Sequence, residues 1–247
     1  MASATGSEAS ENLEVVEIPS PYNITLRLER GLPRPKSALH ILEHLGTLSV
    51  SGSALDLGTG YTGILALALA RRGAKRVVGL DINQDAIASA AHCSDISRSI
   101  DWRVSDMFSA LEPGTVFDTI VSNPPQLPMS HQGRPHDYGG TTGREIIFHI
   151  LKNAPLFLKA GGKLILGIMD YLGVDKRYNE CPSLLEIAER TGLHGQVALS
   201  RPVIVRKGGA TEESLDYIQR LYPDYDFWAA AANRPSYQYQ VVEFRKL

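Results

Sequence analysis

Three groups of residues in this chain have types and spacings that could do chemistry. The first is the run Asp56-Leu57-Gly58-Thr59-Gly60-Tyr61-Thr62-Gly63, in which Gly58, Gly60 and Gly63 stand in a G-x-G-x-x-G spacing. Glycines so spaced let a strand turn tightly into a helix and bring backbone close to a ligand at the helix N-terminus, which suits a dinucleotide pyrophosphate. Alone, the spacing is weak evidence. The second group is a pair of acids at strand ends, Asp81 after VVGL and Asp106 in VSDMF. An acid at Asp81 can accept from both hydroxyls of a ribose, whichever adenosine cofactor carries it. Asp106 can accept from the exocyclic amine of adenine while Met107 lines the ring, or it can cap a helix. The third group is Asn123-Pro124-Pro125-Gln126, directly after the apolar run FDTIVS.

Asp56 separates the two kinds of cofactor. A carboxylate two residues before the first glycine repels a pyrophosphate and attracts a cation, and S-adenosylmethionine carries both a sulfonium and an ammonium. The asparagine-proline run points the same way. Asn123 precedes a proline and is pushed toward extended backbone, while Pro124 and Pro125 stiffen the loop and offer carbonyl acceptors without N–H donors. The Asn123 side-chain oxygen and the Pro124 carbonyl can grip both hydrogens of an NH2 group and leave the nitrogen lone pair facing a methyl donor. Such a grip orients an in-line displacement and favours pyramidalisation of a conjugated nitrogen, so it needs no strongly basic side chain. The plain alternative for these residues is a proline-rich turn.

Groups so placed need a frame. From Ser53 onward, short apolar runs alternate with helical stretches, as in an α/β protein with a doubly wound, seven-stranded, mostly parallel sheet. The pattern predicts strands near 53–57, 76–80, 100–104, 116–122, 162–169, 196–200 and 237–245 and helices near 62–72, 83–93, 143–158, 182–191 and 211–221. In such folds the carboxyl ends of the first and fourth strands meet at the switch point where ligands bind, so the asparagine-proline loop is expected to face the cofactor. Thr142 and Glu145 have capping-box spacing, Pro155 should kink or divide the helix that follows, and Gly161-Gly162 makes the turn into KLILGI. A helix around 38–48 precedes the sheet, and the aromatic-rich stretch 213–244 reads more readily as a packing layer than as a substrate platform.

The 247 residues are 43% hydrophobic and 21% charged, which allows one sizeable core. We expect a polar, disordered tail over 1–12 and a single domain over 13–247, with an N-terminal helical segment and C-terminal additions on the substrate side. A net charge of −2 gives no broad attraction to nucleic acid. No signal peptide or membrane-spanning run is evident, and Cys93 and Cys181 show no metal spacing, so a cytoplasmic protein with reduced thiols is expected. His131, His136 and Asp137 are irregularly spaced in a glycine- and proline-rich loop, which favours substrate contact or solvent exposure, and no metal site is expected.

Taken in order, these segments resemble the class I S-adenosylmethionine-dependent methyltransferases, and within them the HemK-type enzymes that methylate a protein glutamine side-chain amide. LPRPKS (32–37) is similar to a PRPxT/S segment of that family, DLGTGYTG to its cofactor loop, LDIN (80–83) to its ribose-binding acid, SDMF to its adenine-side segment, NPPQ to its NPPY, and the stretch from GGTTG to KLILGI to its GGxxG helix and following strand. The resemblance implies a cofactor site at Asp56, Gly58, Thr59, Gly60, Asp81, Ile82, Asp106, Met107 and Asn123, with Asn123 and Pro124 also holding the acceptor nitrogen. The chain departs from the family at Gln126, where an aromatic stands, at Arg134, where an acid is usual, and in a stretch ahead of the cofactor loop too short for the family's helical docking domain. These departures imply a different acceptor, with Pro125, Gln126 and Arg134 on its side of the site. The expected activity is methyl transfer to an amide or related planar nitrogen of a peptide, protein or small molecule. Transfer to an RNA base amine and a noncatalytic S-adenosylmethionine-binding scaffold stay open as alternatives, whereas a dinucleotide dehydrogenase explains neither Asp56 nor NPPQ.

Overall fold

The computed structural model describes residues 12–32, 36–178, 181–228 and 234–247. The expected tail, apart from Asn12, and Pro33, Arg34 and Pro35 of the LPRPKS segment lie outside these residues. The chain divides into two compact units, residues 1–113 and 114–247.

The first unit opens with an antiparallel hairpin of β1 (Leu13–Ile18) and β2 (Ile24–Glu29). Ile24, Leu26 and Leu28 alternate inward along β2 at the two-residue period of a half-buried strand. This hairpin occupies ground where only a helical segment is expected. Helix α1 (Ala38–Leu45) follows, shorter than expected, and buries Ala38, Ile41, Leu42 and Leu45 on one face.

Strand β3 (Ser53–Leu57), helix α2 (Ile64–Arg71), strand β4 (Arg76–Asp81), helix α3 (Gln84–His92) and strand β5 (Asp101–Val104) then alternate as the apolar runs predict. The three strands pair in parallel in the order β5-β4-β3. Six successive residues of α2, Ile64 to Leu69, are buried, which accounts for a helix apolar all round.

The second unit contains β6 (Phe117–Ser122), α4 (Glu145–Phe157), β7 (Leu158–Met169), α5 (Leu184–Arg190), β8 (Leu193–Ile204), α6 (Ala210–Glu213), α7 (Leu215–Leu221) and β9 (Ser236–Lys246). Their order is β6-β7-β9-β8, with β6 and β7 parallel and β9 antiparallel to both its neighbours. Strands β3 to β9 make up the seven-stranded mixed sheet of the expected α/β class.

Several details differ from the sequence reading. Helix α4 runs through Pro155 and ends two residues later, so the proline does not divide it. The β6–β7 register jumps from Phe117↔Leu158 to Thr119↔Lys163, which makes Gly161-Gly162 part of a bulge within β7. The helix expected over 211–221 breaks at Ser214. Thr142 and Glu145 form half of a capping box. The Glu145 carboxylate accepts from the Thr142 N–H at 2.9 Å, but α4 has no side-chain cap at its N-terminal Arg144. The complete box is Ser183 with Glu186, on α5. The C-terminal aromatics do form a packing layer, in which the buried Tyr171 ring meets Tyr222, Tyr225, Phe227 and Tyr237 at centroid distances of 6.0, 5.9, 5.4 and 5.6 Å.

In the first unit the ring of Trp102 covers both Gly63 and Gly79, and a Cβ at either glycine would overlap it. Its indole N–H donates to the Ser97 carbonyl at 2.9 Å, which fixes the ring. Gly79→Ala should therefore destabilise the fold by roughly 1–3 kcal/mol through overpacking. Adding Trp102→Phe should recover part of that loss in urea denaturation, and a double variant whose loss equals the sum of the two single losses would contradict this packing.

Candidate active site

All the residues expected to hold a cofactor, apart from Asn123, lie in the first unit. Gly58 and Gly60 adopt left-handed backbone, φ 76° and 63°, and each faces open space where a Cβ would project. Three N–H groups of this turn are taken up by the fold. Those of Gly58 and Thr59 donate to the Leu80 carbonyl at 2.8 and 2.9 Å, and that of Gly60 donates to Asp81 Oδ2 at 2.8 Å. They are not presented to an anion as they would be in a pyrophosphate cradle. Gly63 has another task, since its left-handed φ of 54° starts α2 beneath Trp102.

Asp56 is 0% exposed and lies beneath the turn. Its Oδ2 accepts from the Thr59 hydroxyl at 2.7 Å and from the Ala66 N–H at 3.0 Å, tying β3 to the turn and to the first turns of α2. Its Oδ1 has no hydrogen-bond partner. Burial pushes the carboxyl up to about 7, against the lowering influence of the Thr59 and Ala66 bonds. An orphan carboxylate oxygen behind an open glycine turn fits a cationic ligand better than a pyrophosphate.

Asp81 stands at the end of β4 and accepts from Gly60 N and, through Oδ1, from Asn83 N at 2.9 Å, so its carboxylate shapes the turn as well as the rim. Asn83 caps α3. The adjoining Ile82 is 69% exposed, an apolar side chain suited to covering an aromatic ring. Asp106 is exposed, and no helix starts at it: residues 107–110 form a turn in which the Ser105 hydroxyl accepts from Ala110 N at 3.0 Å. Met107 takes a left-handed φ of 50°, unusual for a residue with a side chain.

The second unit builds the NPPQ loop at the end of β6. Gln126, expected on the acceptor side, is 3% exposed. Its Nε2 donates to the Gly167 carbonyl at 2.9 Å and to the Pro124 carbonyl at 3.2 Å, and its Oε1 accepts from Met169 N at 2.7 Å. Those bonds make it a bracket that fastens the loop to β7 rather than a face for substrate. Gly139 and Gly143 press against the Gln126 backbone so closely that a Cβ on either would collide with it. Around them Leu127 N donates to Asp137 O at 2.9 Å, Gly139 N to Leu127 O at 3.0 Å and Met129 N to Gly140 O at 3.1 Å. The GGTTG segment is thus the backing of the loop.

Asn123 is half-buried and Pro124 buried, with Pro125 half-buried beside them. Asn123 Oδ1 accepts from the hydroxyl of Tyr239, a contact that no local motif announces. Arg134 is 55% exposed and lies 3.0 Å from Asp137 and 3.8 Å from Glu213. His131 and His136 are exposed, and among the described residues no group of His, Cys, Asp and Glu could hold a metal. No helix of the described residues is long and apolar enough to cross a membrane.

The buried Asp56 generates a pH prediction. In an unfolded chain an aspartic acid titrates near ~3.9, so between there and about 7 the folded state keeps a proton that the unfolded state has released. That proton favours the fold at low pH, and stability is lost as the pH rises through the window. The unfolding free energy of the wild type minus that of Asp56→Asn should therefore fall, by on the order of 4 kcal/mol from about pH 4 to above 7. Urea titrations at a series of pH values measure it, and a pH-independent difference would contradict the assignment.

Residues 36–192 match the family model "Methyltransferase small domain". A release factor glutamine methyltransferase of Koribacter versatilis is 33% identical over 153 residues, 56% of this chain and 54% of that protein. Another, of Rhodopirellula baltica, is 31% identical over 183 residues, 64% of this chain and 62% of that protein. The chain therefore spans little more than half the length of these curated relatives. Among solved structures, a 16S rRNA N2 methyltransferase of T. thermophilus in complex with AdoMet and guanosine has a TM-score of 0.53 at 21% identity, covering 95% of this chain and 50% of that one, a likeness of fold alone. The family model covers well over half of the chain, from α1 through α5, and this chain belongs to the Methyltransferase small domain family.

Proposed function

We propose that this protein is an S-adenosylmethionine-dependent N-methyltransferase whose acceptor is a side-chain amide nitrogen of a protein or peptide. The observation that carries the reading is the NPPQ loop, which offers the Asn123 and Pro124 oxygens and is fastened to β7 through Gln126. Support comes from the family match and from relatives named as glutamine methyltransferases.

The cofactor supplies an electrophilic methyl group on a sulfonium. The protein's part is binding and orientation. Asp81 would offer carboxylate oxygens to the ribose hydroxyls, Ile82 and Met107 would cover the adenine, and the Asp56 carboxylate would supply negative charge behind the glycine turn. Asn123 Oδ1 and the Pro124 carbonyl accept the two hydrogens of the acceptor NH2. An amide nitrogen shares its lone pair with its own carbonyl. Holding both hydrogens out of the amide plane draws that pair back onto nitrogen and aims it at the methyl carbon. With the cofactor bound, its sulfonium would give up the methyl to the nitrogen and keep the bonding electron pair on sulfur, while the surplus nitrogen proton would pass to solvent.

Asn123→Ala should keep affinity for S-adenosylhomocysteine within about threefold and lose about a hundredfold in turnover, the scale of removing one stabilising group from a developing charge. Titration calorimetry and incorporation of labelled methyl into extract proteins measure the two quantities. Undiminished turnover would remove Asn123 from the reaction. Label recovered in nucleosides instead of protein would move the acceptor to a base amine.

A further inference from the structure

We infer that Tyr239 is a positioning residue for Asn123, an inference that rests on the N-methyltransfer reading above. Tyr239 lies on β9, whose other residues read as an ordinary strand, and it is 116 positions from Asn123. Its side chain is 1% exposed, and its hydroxyl donates to Asn123 Oδ1 at 2.5 Å, the short end of the range for O–H···O bonds.

The register shows why this contact is rigid. Tyr239 pairs with Met169 across β7 and β9, and with Arg201 across β8 and β9, so it sits on a strand bonded on both sides. Met169 is also the residue whose N–H donates to Gln126 Oε1. A single rung of the sheet, Met169 with Tyr239, therefore fastens both ends of NPPQ, the first residue through a phenol and the last through a backbone amide.

A side-chain amide can turn over and exchange its oxygen and nitrogen at little cost unless a neighbour distinguishes them. A phenol can donate to an amide oxygen or accept from an amide nitrogen, and here the Tyr239 hydroxyl donates to Asn123 Oδ1. An amide oxygen has two lone pairs, and Tyr239 engages one. With the amide so fixed, the acceptor NH2 meets oxygen at Asn123, whereas a turned amide would present N–H groups to N–H groups. The same hold would reject acceptors that offer only a carbonyl or an ether oxygen. A buried tyrosine hydroxyl also needs a partner for stability alone, and the two roles differ in what they change.

The test compares wild type, Tyr239→Phe, Asn123→Ala and the double variant. Nitrogen-15 NMR follows the Asn123 side-chain NH2 pair, assigned by its loss in Asn123→Ala, and needs no acceptor. Turnover of labelled methyl into extract proteins is measured at saturating S-adenosylmethionine. We expect Tyr239→Phe to shift the Asn123 pair, to lower the saturated rate about tenfold, the equivalent of one hydrogen bond, and to leave KM for S-adenosylmethionine within about twofold. In the Asn123→Ala background it should change the rate less than about twofold. An unmoved Asn123 pair, a wild-type rate in Tyr239→Phe, or losses that multiply in the double variant would overturn the inference. A shifted pair in a protein whose wild type labels nothing would sink the methyl-transfer reading and leave the hold of Tyr239 on Asn123 standing.

Discussion

Everything proposed for the acceptor side depends on keeping a short run of carbonyl and amide oxygens in place at the end of β6. Pro124 and Pro125 remove two backbone N–H donors from the run, which leaves carbonyl acceptors there but also deprives it of backbone bonds that would hold it. The fold answers with side chains. Gln126 bonds outward to the Gly167 carbonyl and the Met169 N–H on β7, Tyr239 bonds from β9, and the glycines of GGTTG allow the next segment to press against the loop backbone. An apolar residue at Gln126 would leave the Gly167 carbonyl and the Met169 N–H without these partners, a cost of several hydrogen bonds at a buried place.

A related economy governs the glycine turn. Its first N–H groups close the turn on the Leu80 carbonyl and on Asp81, so what faces outward is open backbone at Gly58 and Gly60 with a buried carboxylate below. Asp56 ties strand, turn and helix together through one oxygen and leaves the other unpaired. Storing an unpaired acid in a core is unfavourable, and its raised pKa expresses that cost. A positively charged ligand over the turn would lower it, so binding and ionisation of Asp56 should favour each other.

Much of the frame was legible because burial leaves a period. The apolar runs at β3, β4, β6 and β7 and the all-apolar helix α2 are buried where their composition predicts. The β1–β2 hairpin was not legible, since its alternation is short and β1 is half-exposed. Helix α6–α7 divides at Ser214, which a continuous helical pattern does not reveal. At the site, motif spacing marked Asp56, the glycines, Asp81 and Asn123. It read Gln126 by analogy as a substrate face, because a polar residue in the place of an aromatic looks exposed until its partners on β7 are known. Tyr239 could not be found from local sequence at all. Its role is set by a strand register that brings positions 123 and 239 together, and a tyrosine in an alternating strand carries no sign of which atom it will meet.

The central chemical claim is that this loop presents acceptors to a nitrogen bearing two hydrogens. Incubating the protein with cell extract and S-adenosylmethionine carrying a deuterated methyl group, then mapping the label by mass spectrometry, tests it most directly. Label on a side-chain amide nitrogen of a protein is the predicted result. Label confined to oxygen, carbon or sulfur atoms would contradict it.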